Sequence, residues 1–78
     1  MIVYILHIKH SDGDAYWAFS DEEKAKDRLL AWAREWWPIE LGGEIPDGLS
    51  DGNIVLDYFE RMKGDEYWNI DDVTLDAA

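Results

Sequence analysis

Residues Ile2 to His10 alternate in a way that suits a strand. Ile2, Tyr4, Leu6 and Ile8 fall on one face and are all apolar, while Val3, Ile5, His7 and Lys9 fall on the other and turn polar toward the end. The first face is expected to meet the core. Ser11-Asp12-Gly13-Asp14 has turn chemistry, with Gly13 free to adopt φ > 0. Ala15 to Phe19 then reads as a second strand, with Ala15, Trp17 and Phe19 on one face, so the pair predicts a β-hairpin.

The period changes after Phe19. Ser20-Asp21-Glu22-Glu23 reads as a capping box with Ser20 as N-cap, opening a helix to about Trp37. Ala25, Leu29, Trp32, Ala33 and Trp36 recur at helical spacing and form its buried stripe. Pro38 is expected to stop it. Ile39 to Asp51 is a linker broken by Pro46 and glycines. Ser50 or Asp51 caps a shorter helix whose apolar face is Val55, Tyr58, Phe59 and Met62, with Gly64 as its C′ residue. Tyr67 to Leu75 reads as a third strand, interrupted at Asp71-Asp72 and lying beside the first. The predicted class is α+β: a small antiparallel sheet of about three strands against two helices, order β-β-α-α-β.

Length and composition narrow the class. At 78 residues the chain holds one domain, 1–78, and needs a dense core because so small a domain buries only about 60% of its unfolded surface. Five tryptophans and a 47% hydrophobic content supply that core, which a disordered acidic tail would lack. There is no cysteine, which excludes a disulfide framework and a thiolate zinc site and fits a cytoplasmic chain. The apolar start is too short and lacks the basic flank of a signal peptide, and no run reaches the ~20 apolar residues of a membrane span.

Little points to catalysis. His7 and His10 face opposite sides of their strand and cannot share a metal by themselves. Ser11, Ser20 and Ser50 have turn or cap roles. Asp12-Gly13-Asp14 lacks the further ligands of a calcium loop. Glu22-Glu23, Asp65-Glu66 and Asp71-Asp72 are paired carboxylates, but solvated surface acids explain them, and so small a domain leaves little room for a substrate pocket of ~300 Å³. No enzyme activity, cofactor or metal is expected. Trp37 and Trp68 fall outside the predicted stripes. Packing beneath the linker would account for both, and so would an interface role, since an exposed tryptophan ringed by acids anchors binding.

Charge is the outlying property. Eighteen acids against seven bases give a net charge of −11. The excess is uneven: residues 1–39 carry seven acids and five bases, whereas residues 40–78 carry eleven acids and two bases. Such a surface repels nucleic acid and anionic lipid, so the expected partner is a basic nucleic-acid-binding protein rather than nucleic acid or membrane. The candidate contact residues are Glu40, Glu44, Asp47, Asp57, Glu60, Asp65, Glu66, Asp71, Asp72 and Asp76, with Trp68 as an aromatic anchor. Asp57 and Glu60, three apart on a helix, share a face. The expectation is that folding gathers these carboxylates into one anionic face able to occupy a groove built for polynucleotide.

In length, acidity, lack of cysteine and tryptophan-rich core, the chain resembles small phage-encoded anti-CRISPR proteins. The ending Tyr67-Trp68-Asn69-Ile70-Asp71-Asp72-Val73-Thr74-Leu75 also resembles that of short phage and prophage proteins. The resemblance implies a stoichiometric inhibitor of a Cas effector complex, working in the bacterial cytoplasm by DNA mimicry as a monomer or small homo-oligomer. Two other readings fit the same residues. One is an antitoxin or anti-restriction type of module that neutralises a basic protein; the other is a halophilic or cytosolic domain whose acidity serves solubility.

Overall fold

The structure, a computed structural model, describes residues 1–75; Asp76 lies outside the described residues. It has the predicted α+β architecture. Strands β1 (Ile2–His10), β2 (Gly13–Phe19) and β3 (Tyr67–Thr74) form an antiparallel sheet of order β2-β1-β3. Helices α1 (Glu22–Trp36) and α2 (Asp51–Arg61) pack on one side of it.

The hairpin register pairs Leu6 with Trp17 and Ile8 with Ala15. Ser11 and Asp12 make the turn, and Gly13 closes it at φ +129°, a conformation that side chains rarely adopt. β3 lies beside β1, with Ile70 opposite Leu6 and Trp68 opposite Ile8. It is not interrupted. Asp71 and Asp72 pair in register with Ile5 and Tyr4, because at an open sheet edge both carboxylates can reach water without leaving the ladder.

The apolar face of β1 is buried over only half its length. Leu6 and Ile8 are fully buried, Tyr4 is half-buried and Ile2 is exposed. Ile2 faces Thr74 but has no partner on β2, which ends opposite Tyr4. Burial of side chains such as Leu6 and Ile8 contributes roughly 1.5–3 kcal/mol each.

α1 begins one residue later than its capping pattern predicts. Asp21, not Ser20, is the N-cap, and its Oδ1 accepts the Glu23 N–H at 2.7 Å. An ionised cap gains both from the helix dipole and from the charged hydrogen bond. Pro38 does not stop the helical path. A π-helical turn, Trp37–Leu41, follows α1, with the proline at its start where no N–H is required. The turn brings Trp37 inward, where it becomes one of the largest fully buried side chains, 6.5 Å from the Tyr58 ring. Arg61 covers its outer side, the guanidinium 5.4 Å from the ring centre.

The linker is a strap rather than a free loop: Leu41, Ile45 and Leu49 tuck against the core. Ser50 is the residue that caps α2, accepting the Asn53 N–H at 3.3 Å. The buried face of α2 is Ile54, Tyr58, Phe59 and Met62, with Val55 half-buried. Met62 is the C-cap, so Gly64 falls one position beyond the predicted C′ site, at φ +95°.

Candidate interaction surface

Strand alternation decides which groups of β3 share a side. Trp68, Ile70 and Asp72 are opposite Ile8, Leu6 and Tyr4 and belong to the helix-covered side. Tyr67, Asn69, Asp71 and Val73 belong to the open side. Asp71 and Asp72, expected to act together, therefore project from opposite faces of the sheet.

On the open side, β1 places His7 between two aromatics. Its ring stacks on Tyr16 at 4.5 Å and meets the edge of Tyr67 at 5.6 Å, while Nε2 lies 2.8 Å from Asp14 Oδ1. His10, on the other side, packs near Trp32 at 5.3 Å. The two histidines are thus separated by the sheet. Among the described residues no three His, Asp or Glu side chains are placed to hold a metal ion. No helix of the described chain is long and apolar enough to cross a membrane.

The second half carries most of the acids, and the structure leaves most of them uncompensated. Glu40, Glu44, Asp47, Glu60, Asp65, Asp71 and Asp72 are exposed and Asp57 is half-buried. None of these forms an ion pair among the described residues. Asp51 differs: it bonds Arg34 at 3.2 Å and ties the start of α2 to α1. Asp57 and Glu60 share a face of α2, as their spacing predicts, with Glu60 exposed and Asp57 half-buried. Glu44 and Asp47 sit on the strap. The uncompensated acids are thus spread over α2, the strap and both sides of β3, rather than gathered on a single plane.

Glu66 corrects the expectation most sharply. Placed among the partner-binding acids by sequence, it is only 7% exposed. Its Oε1 accepts hydrogen bonds from Trp32 Nε1 at 3.0 Å and from the Tyr58 hydroxyl at 2.8 Å. One carboxyl oxygen thus joins α1, α2 and the entry to β3, and it satisfies two donors that burial would otherwise leave unpaired. Burial, and next the hydrogen bond to Glu66 and its charge, hold the Tyr58 hydroxyl well above the usual phenol range. The signal lay in the alternation of β3: extended back toward α2, the series Ile70, Trp68 includes Glu66 on the inward side. Glu40 lines the same small cavity as Glu66, together with His10 and Trp36.

Trp68, the candidate aromatic anchor, stands on the helix-covered side of β3. It is 37% exposed, with its inner side near Phe59 at 6.5 Å. A groove of about 400 Å³ opens between α1, α2 and β3, bordered by Leu30, Val55, Leu56 and Trp68. A second hollow of about 340 Å³ lies between α2 and β3 and shares Leu56 and Trp68 with the first. Acidic side chains flank this trough. In comparisons with protein families, curated proteins and solved structures, nothing matches the chain.

Proposed function

We propose that the chain acts by stoichiometric binding. Its acidic surface occupies the cationic groove of a nucleic-acid-binding protein, as its resemblance to anti-CRISPR proteins implies, with a Cas effector complex as the target class. The observation that carries this reading is the set of eight carboxylates from Glu40 to Asp72 without an ion-pair partner among the described residues. Carboxylates left without cations repel one another in the folded state, and a basic groove relieves that repulsion while releasing the ions around both surfaces. The body measures 49 Å along its longest axis, roughly the length of 14 base pairs of duplex at 3.4 Å each. Carboxylates spread around so narrow a body suit a groove that wraps its occupant better than a flat basic patch.

The test is competition. Titrating the chain into a guide-loaded Cas effector complex is expected to displace labelled target DNA at near-equimolar ratio, with an affinity that falls as salt rises. Simultaneous binding of chain and DNA would overturn mimicry and favour a module that neutralises a basic protein elsewhere on its surface. Because Asp71 and Asp72 face opposite sides, Asp71→Lys and Asp72→Lys are informative one at a time, and the double variant is expected to abolish inhibition with the fold intact. Unchanged inhibition by the double variant would take β3 out of the mechanism.

A further inference from the structure

The trough beside Trp68 has features that a purely electrostatic surface does not need. Leu56 is 61% exposed on the outward side of α2, and Trp68 stands next to it on β3. Both border the two hollows, which adjoin along α2. A tryptophan face and a leucine left in water expose apolar surface that a smaller or polar side chain at either position would not.

The rim is acidic. Glu23, Asp27 and Asp51 stand at the α1 end and Glu60 at the other; Glu23 is paired with Lys26 and Asp51 with Arg34, so Asp27 and Glu60 are the rim acids without an ion pair among the described residues. Of the two lysines there, Lys26 is already engaged, lying 3.0 Å from Glu22 and 3.7 Å from Glu23. Lys63 is the second. The trough thus offers apolar walls within a border of net negative charge. Basic amphipathic segments have the complementary layout: a large apolar side chain with lysine or arginine around it.

We infer that the trough between α1, α2 and β3 receives a segment of a protein partner that presents one large apolar side chain flanked by Lys or Arg. This rests on the proposed binding function and adds the point at which the partner is held. The acids draw the segment in and screen out acidic sequences; Leu56 and Trp68 supply the contact that dissociates slowly. Nucleic acid offers no aliphatic side chain to fill such a recess, so the inference names protein as the ligand.

Three short peptides serve as probes at low ionic strength: an amphipathic one built of Lys and Leu, one with Ser replacing every Leu, and one with Glu replacing every Lys. Calorimetry gives affinity, and the Trp68 indole N–H resonance reports the site. The Lys/Leu peptide is expected to shift that resonance and to bind at least tenfold more tightly than either of the others. Leu56→Asp, on an exposed position that leaves the fold unchanged, is expected to weaken it at least tenfold, and Trp68→Ala likewise. Equal binding of the Lys/Ser peptide, or an unaffected Leu56→Asp variant, would overturn the trough while leaving the acidic-surface reading intact. Equal binding of the Glu/Leu peptide would overturn the commitment to a basic segment. Failure of both basic peptides would count against the trough and the acidic surface together.

Discussion

The two halves of the chain use charge differently. In residues 1–39 most charged groups act locally. Asp21 caps α1, Lys26 bridges Glu22 and Glu23, Asp14 meets His7, and Arg28 lies 4.5 Å over the Trp17 ring. In residues 40–75 only Asp51 and Glu66 are engaged in comparable contacts among the acids, the first with Arg34 of the other half and the second with Trp32 and Tyr58. The remaining acids are solvated and mutually repulsive. One half thus spends its charge on the fold, while the other carries charge the fold does not use. Charge that costs stability and contributes nothing to packing is the feature on which the proposed binding role rests.

Glu66 is where this contrast can be tested hardest, because it is the acid of the second half that the fold does need. Glu66→Ala strips two buried donors of their acceptor, and at about 1–3 kcal/mol per unpaired group the expected loss is about 2–6 kcal/mol, read from urea unfolding. Glu66→Gln keeps a carbonyl acceptor and should lose much less. If Glu66→Ala unfolds at the wild-type midpoint, the distinction between structural and spare acids collapses.

Tyr58 gives the next largest effect. Its ionisation is pushed up in the folded state, so above pH about 10.0 the unfolded chain gives up this proton while the native state retains it. Stability must then fall as pH rises, by about 1.4 kcal/mol per pH unit from this group. Tyr58→Phe should remove that component, leaving a shallower alkaline decline in stability measured from pH about 10 to about 12. An unchanged slope would mean that the hydroxyl is not held as described.

The smallest expected effect lies on the spare acids. Glu60→Gln relieves a like-charge neighbour of Asp57 and should raise stability by about 0.2–0.5 kcal/mol, a gain that disappears in high salt. A loss of stability would place Glu60 among the structural acids instead. Reversal of Asp71 or Asp72 belongs with this group for stability, though its expected effect on binding is large.

Much of the fold was legible in the sequence because it rests on period and local chemistry. The alternation of Ile2 to His10, the helical stripe from Ala25 to Trp36 and the placement of β3 beside β1 all follow from side-chain direction and the need of a hairpin for a third strand. The departures arise where two local rules compete. Ser20 and Asp21 are both good caps, and the charge of Asp21 prevails. Pro38 ends an α-helix, but it also fits the start of a wider turn, and burying Trp37 favours that turn. At the candidate surface, Trp68 and the acids of α2 stood out by residue type, whereas the trough between the helices could not be read from any one segment.

By itself, then, the amino-acid order determined the elements, their succession along the chain and the excess of acid downstream of Glu40, since each depends on neighbours within a few residues. Only the tertiary structure decided which acids serve the fold and which face water. Whether a carboxylate is an internal acceptor, like Glu66, or a free charge, like Asp65 beside it, depends on donors brought from residues 34 and 8 positions away. The cost of burying a polar group is set by the partners that folding delivers, and no local pattern records them.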